Sequence, residues 1–195
     1  KDELDAQREA RFDRMPKISI AVPLYKTPLS YLEELIWPVR EQTYGNWELC
    51  LSDGSGEENS ALTEALKRYQ ESDRRIKTVI SPVPLKISEN TNEALRVSTG
   101  DYIAFADHDD LLTPDALYEC VKALNEDPKI DALYSDEDKI SMNGKEYFEP
   151  HFKTDFNIDL LCSMNYICHL FVVSRKIMDQ VGMLRSEFDG AQDYD

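Results

Sequence analysis

Asp101-Tyr-Ile-Ala-Phe-Ala-Asp-His-Asp-Asp-Leu111 is the stretch on which the reading of this chain turns. Tyr102 to Ala106 is short, apolar and aromatic, which suits a buried strand better than a helix. It runs straight into Asp107, Asp109 and Asp110, interrupted only by His108. Carboxylates this close repel one another, and at the rim of an apolar strand they also lose water. A cation among them offsets that cost. Carboxylate oxygens are hard ligands, so Mn²⁺ or Mg²⁺ is expected at Asp107 and Asp109. Two protein ligands are too few to hold such an ion alone; a diphosphate would supply the others. The plain alternative is a solvated acidic loop capping the next helix, and Asp110 fits that role.

Upstream of this stretch, strands and helices alternate. Lys17-Ile-Ser-Ile-Ala-Val-Pro23 reads as a first strand, with Pro23 expected to stop its ladder. Tyr25 follows at the strand's C-terminal end, where open α/β sheets bind ligands, and can stack on a flat base or simply cap the core. Thr27-Pro28 is expected to cap a helix whose buried face carries Leu29, Leu32, Ile36 and Val39, with Pro38 kinking or shortening it. Trp47 to Ser52 is a second strand, and Asp53-Gly-Ser-Gly56 a turn behind it. An Asp there is ordinarily an Asx turn, but at a sheet edge it can also accept the N3–H of a uracil or thymine. A helix from Asn59 or Ser60 to about Gln70 buries Ala61, Leu62, Ala65, Leu66 and Tyr69. Ile76 to Ile80 is a third strand. Ser88 to Thr99 reads as a helix with Ser88 as N-cap and Gly100 as its left-handed terminator.

Downstream, Thr113-Pro114 starts a helix that buries Leu117, Cys120, Val121 and Leu124, and Asp131 to Tyr134 is a short strand. Lys139 to Phe148 then looks like a hairpin about a type I′ Asn143-Gly144 turn. Phe152 to Leu161 is irregular, Ile167 to Val173 is a strand, and a short helix covers Lys176 to Val181. The pattern predicts an α/β fold: a mostly parallel sheet with helices on both faces, and an irregular C-terminal half. The expected organisation is a charged helix or linker over 1–15 and one domain over 16–195. Within it, 16–138 would bind nucleotide and 139–195 would form part of an acceptor half.

The 195 residues carry 22 Lys and Arg against 38 Asp and Glu, a net charge of −16. That disfavours nucleic acid and anionic lipid as partners, so an anionic substrate needs a metal or a local group of donors. No apolar run approaches the length that crosses a bilayer. Cys50, Cys120, Cys162 and Cys168 show no Cys-x-x-Cys spacing, and reduced thiols explain them better than zinc or disulfides. The sequence opens without Met and stops at Asp195 inside a motif, which reads as a piece of a longer protein. The expected location is cytoplasmic, with attachment at the inner face of the membrane left open.

Five segments in order carry a resemblance: Ile18 to Tyr25, Glu41-Gln-Thr-Tyr44, Asp53-Gly-Ser55, Gly100 to Asp109, and Gln192-Asp-Tyr-Asp195. Together they resemble family 2 glycosyltransferases, the inverting group that builds bacterial polysaccharides on the A-type nucleotide-sugar fold. The resemblance implies a nucleotide-sugar donor (UDP, dTDP or GDP) and a saccharide or lipid-linked acceptor. It implies that Pro23 and Tyr25 frame the nucleoside and that Asp53 bonds the base, and it makes Asn92, the match to an Asn usual in the family, a further nucleotide-binding residue. Asp107 would lie near ribose and metal, Asp109 would coordinate Mn²⁺ or Mg²⁺ on the diphosphate, and Asp193 would be the catalytic base. Gln192 stands where members often have Glu, and Thr91 where many have Arg.

A dinucleotide-binding dehydrogenase is disfavoured because no Gly-x-Gly-x-x-Gly follows the first strand. A sugar-nucleotide pyrophosphorylase would show a Gly-rich loop after Val22. An EF-hand fails because Leu112 and Tyr118 occupy its Gly and closing Glu positions. The rival from another class is a glycosyltransferase-like module that binds nucleotide or glycan without turnover. His108 and His169 are alternative acid–base candidates, for which packing is the ordinary explanation; His151 carries no signal.

Overall fold

The computed structural model describes residues 2–56 and 59–195. Its elements are α1 (Asp2–Glu9), β1 (Ile18–Leu24), α2 (Leu29–Arg40), β2 (Trp47–Asp53), α3 (Ser60–Ser72), β3 (Ile76–Ile80) and α4 (Ile87–Val97). There follow β4 (Tyr102–Phe105), α5 (Ala116–Glu126), β5 (Ala132–Tyr134), β6 (Glu137–Ile140), β7 (Tyr147–His151), α6 (Ile158–Ser163), β8 (Phe171–Ser174) and α7 (Arg175–Val181). Six strands form one sheet in the order β3-β2-β1-β4-β8-β5, and β6 pairs with β7 separately. The β1–β2, β2–β3 and β1–β4 pairs are parallel; β8 runs antiparallel to both β4 and β5. The mostly parallel α/β sheet is as expected, and β8 extends it from the C-terminal half.

Alternation along the strands explains the two layers. Ile18, Ile20, Val22 and Leu24 point to one face, where they pack with Leu32 and Ile36 of α2, Leu62 and Leu66 of α3, and Leu117 and Val121 of α5. Ala21, Cys50, Ile103 and Val173 face the other way, against Ala94 and Leu95 of α4, with Ile177 and Met178 of α7 alongside. Burial pushes the Cys50 and Cys120 thiols up to about 12, so both are inert core groups. Among the described residues, no helix is long and apolar enough to cross a membrane.

Helix α1 docks on this same unit. Gln7 is buried and accepts from the Thr43 hydroxyl at 3.0 Å, and Phe12 packs between the Tyr44 and Tyr118 rings.

Several local expectations are corrected. Pro23 does not end the ladder on its β2 side, which continues to Leu24↔Asp53; pairing ends early only toward β4, at Ala21↔Phe105. Pro28, not Thr27, is the residue before α2, and Thr27 is buried with its hydroxyl unpartnered. Ala61 lies on the exposed side of α3. The hairpin turn has only Gly144 at positive φ (+68°), with Asn143 Oδ1 accepting from Lys145 N, so it is not type I′, which needs both central residues there. Ser88 lies inside the first turn of α4, whose flanking residue is Lys86.

Gly100 is not a left-handed terminator: α4 ends at Val97, and Gly100 is absent from the positive-φ glycines. It is required for close approach. A Cβ there would stand 2.6 Å from Lys17 O and 2.6 Å from Ser19 Oγ, the hydroxyl that Gly100 N–H donates to. Gly100→Ala is therefore expected to cost about 1–3 kcal/mol by overpacking. Urea denaturation checks this, and an unchanged midpoint would refute the crowding.

Candidate active site

The C-terminal ends of β1, β2 and β4 lie side by side, so their exit loops meet at one sheet edge, where open α/β sheets place ligands. Behind β2, Asp53 is fully buried. Its Oδ1 accepts from Ser55 N at 2.9 Å, the Asx-turn arrangement, while Oδ2 has no partner. A buried carboxylate oxygen without a donor is costly. The Asx turn thus uses one oxygen of Asp53 and leaves the other without a donor. Ser55 Oγ accepts from Lys26 N at 2.7 Å, tying the β1 exit to this turn. Tyr25 stands half exposed beside it, with the Lys26 ammonium 5.6 Å from its ring. Asn90 was not picked out by the sequence. Its buried amide donates to Leu24 O at 2.8 Å and accepts from Ser52 Oγ at 2.7 Å, locking β1 to β2 below the site.

Behind β4, Asp110 is the hub of the acidic turn. Its Oδ2 accepts from Asp107 N at 2.7 Å and from His169 Nδ1 at 2.9 Å. Asp110 is thus more than a solvated cap. Burial alone would raise its carboxyl, but the His169 bond and charge outweigh that and hold it below the usual carboxylate range. For His169, burial alone would favour the neutral ring; the Asp110 bond, with the charges of Asp110, Asp107 and Asp193, wins and lifts it to about 9. The protonated ring of His169 is thus favoured by its bond to Asp110. Asp107 is raised, first by burial and then by Asp110, Asp193 and Asp109, with His169 only partly compensating. Lys153, which no motif singles out, has its side chain buried under the same segment and donates to the carbonyls of Ile167 (2.6 Å) and His169 (2.7 Å). His108 stacks on Tyr31 and contributes a minor favourable charge to Asp110.

Pro23, Asp107, His169, Gln192 and Asp193 line one cavity of about 660 Å³. Gln192 Nε2 donates to Asp193 Oδ1 at 3.1 Å, and Asn165 Nδ2 to Asp193 O at 3.2 Å. Gln192 therefore orients the Asp193 carboxylate. Other expected site residues lie elsewhere. Asp109 is exposed and faces a separate groove together with Tyr147 and Phe148. Asn92 does not line this cavity, and its amide is bonded to the loop, Nδ2 donating to Leu184 O (2.8 Å) and Oδ1 accepting from Leu184 N (3.0 Å). Thr91 lines the cavity with its hydroxyl bonded to Ile87 O.

Among the described residues, no group of three or more His, Cys, Asp or Glu side chains is arranged to hold a metal ion. Asp107 lines the cavity and Asp109 the adjoining groove, with His169 lining both, so an ion between the two carboxylates would have to be completed by a substrate's oxygens. Asp107 and Asp109 offer hard oxygens, burial and the neighbouring acids raise the Asp107 carboxyl in the way a cation would relieve, and Asp110 is already occupied.

The mostly parallel sheet with acids gathered at its strand ends defines an α/β fold of the class that binds ligands at that edge. TarS from S. aureus in complex with UDP superimposes at a TM-score of 0.71, with 18% identity over 91% of this chain and 53% of that one. A mannosyltransferase from Pyrobaculum calidifontis in complex with GDP-Man and Mn²⁺ does so at 0.66, with 18% identity over 98% of this chain and 55% of that one. Residues 19–182 match Glycosyl transferase family 2, and the chain belongs to that family. It is 35% identical over 186 residues to the O-antigen biosynthesis protein RfbC of Myxococcus xanthus, covering 95% of this chain and 14% of that protein. It is 41% identical over 185 residues to the uncharacterized protein y4gI of Sinorhizobium fredii, covering 95% of this chain and 20% of that protein. The chain thus spans a fifth or less of either relative.

Proposed function

We propose that this chain carries the catalytic centre of a sugar transferase, moving a sugar from a UDP-, dTDP- or GDP-sugar to a hydroxyl of a saccharide or lipid-linked acceptor in cell-surface polysaccharide synthesis. The observation that carries the reading is the pairing of Asp107 and Asp193 on one cavity at the C-terminal edge of the parallel strands. Pro23 and Tyr25 frame the nucleoside, and the unpartnered Asp53 oxygen accepts from the base. Asp107 and Asp109 would hold Mn²⁺ or Mg²⁺, which when bound would supply positive charge to stabilise the departing diphosphate. The Asp193 carboxylate takes the proton of the acceptor hydroxyl. That oxygen bonds to the anomeric carbon as the bond to the diphosphate oxygen breaks on the opposite face, which inverts the centre. We place the reaction on the cytoplasmic side, where free thiols such as the four here stay reduced.

A module that binds nucleotide without turnover is the second reading, favoured by the exposure of Asp109 away from the cavity. Calorimetric titration with UDP, dTDP and GDP, with and without Mn²⁺, separates the two. Transfer chemistry predicts Mn²⁺-dependent binding of one nucleotide, weakened at least about tenfold in Asp109→Ala, the cost of one lost charge-assisted ligand. Binding indifferent to metal, or none, would count against it.

A further inference from the structure

The segment that carries Asp193 has almost no regular structure. Between Gly182 and Asp195 it contains two short 3₁₀ turns, Ser186–Phe188 and Gln192–Tyr194, and glycines at positive φ at 182 and 190. Ordering such a stretch costs conformational entropy, so something must hold it. Two anchors do, both on α4. Ser88 N donates to Asp189 Oδ1 at 3.1 Å, and the Asn92 amide makes its two bonds to the Leu184 backbone. Ser88 and Asn92 are four residues apart, hence on one face of the helix, and both are buried. The Lys86 ammonium lies 3.6 Å from Asp189 Oδ2, and a carboxylate at the N-terminal end of α4 also gains from the helix dipole.

The segment then closes on itself. Arg185 N donates to Asp195 Oδ2 at 2.9 Å and its Nε to Asp195 Oδ1 at 2.8 Å, while the guanidinium covers the Phe188 ring at 4.4 Å. The result is a loop stapled at both flanks, with Asp193 held between the Asp189 anchor and the Arg185–Asp195 clasp. Asp189 and Asn92 do not line the cavity that Asp193 enters.

We propose that α4 is the seat of the loop bearing the base, and that Asp189 and Asn92 are positioning residues for Asp193 that touch neither donor nor acceptor. The proposal rests on the transferase reading above. It replaces the nucleotide-contact role that family resemblance implies for Asn92. A general base must stand within hydrogen-bond reach of the acceptor hydroxyl, and a misplacement of about 1 Å costs about a hundredfold in rate.

The test compares Asp189→Ala, Asn92→Ala and the conservative Asp189→Asn in the intact protein. Asn at 189 keeps an oxygen for Ser88 N–H. Three measurements are made: deuterium uptake across 183–195, Mn²⁺-supported binding of UDP, dTDP and GDP, and steady-state turnover. Expected results for both alanine variants are faster uptake, nucleotide affinity within about twofold, and a kcat lower by about ten- to a hundredfold. Asp189→Asn should recover most of the rate. Unchanged uptake overturns the docking, and faster uptake with unchanged turnover overturns the positioning role. Loss of nucleotide affinity in Asn92→Ala would restore the direct contact instead. Wild-type protein that binds nucleotide yet never turns it over sinks the transferase reading, while the exchange data still decide the docking.

Discussion

Asp193→Asn is expected to leave nucleoside diphosphate binding within about twofold while lowering transfer turnover about 10²–10⁴-fold, the usual share of a general base. Asparagine matches aspartate in size, and its Oδ1 can still accept from Gln192 Nε2, which now bonds Asp193 at 3.1 Å. What it lacks is the capacity to take a proton. The side chain is exposed, so the change should not disturb folding. The loss should fall on kcat rather than on donor KM, because the interaction is made only as the acceptor hydroxyl gives up its proton. Steady-state kinetics with the donor identified by calorimetry measures this split. Transfer that survives the substitution means the base is elsewhere. His169 is a poor substitute, since a ring that titrates at about 9 and already donates to Asp110 has no lone pair to offer at neutral pH. Asp107, whose carboxyl is raised, would then be the next group to replace.

The fold was legible wherever one local period decided the outcome. Leu117, Cys120, Val121 and Leu124 are buried as their helical spacing requires, and Ile76–Ile80 forms the expected strand. Asp107 at the end of a strand and Asp193 in the closing motif both stand out in the sequence, and they do share a cavity. What could not be read depends on contacts between distant parts of the chain. Nothing near residue 169 announces that its imidazole meets Asp110, 59 positions earlier. Gly100 resembles a helix terminator because Gly often is one, yet its need comes from Lys17 and Ser19 at the start of β1. Asn92 resembles a ligand contact, whereas its amide meets a backbone 92 residues downstream. Side-chain type told what each group can bond to; only the topology told which partner reaches it first.

The largest effect on stability is expected at the opposite end of the sheet, from Glu48→Ala. Glu48 is 1% exposed and gathers the Lys17 and Lys77 ammonium groups, the Ser19 hydroxyl at 2.7 Å, and the Thr99 backbone N–H and hydroxyl. Burial alone would raise its carboxyl; the two lysines, then Thr99 and Ser19, outweigh burial and hold it at about 2. Removing one member of a buried ion cluster typically costs about 3–5 kcal/mol. Both lysines are about one-third exposed and can turn to water, so the loss should lie near the lower end of that range. The sign of the pH dependence follows from the lowered value. A carboxyl titrating at 4.5 unfolded and about 2 folded contributes its stability above 4.5, and that contribution drains away as the pH falls from 4.5 toward 2. Urea denaturation of wild type and variant at neutral pH and at several points below 4.5 should show the gap narrowing. A gap of constant size would mean that lost packing, rather than the charge, sets the cost. Because Glu48 sits near the start of β2 and Asp53 at its end, the site residues stay untouched, and nucleotide affinity measured well below the melting temperature should not change.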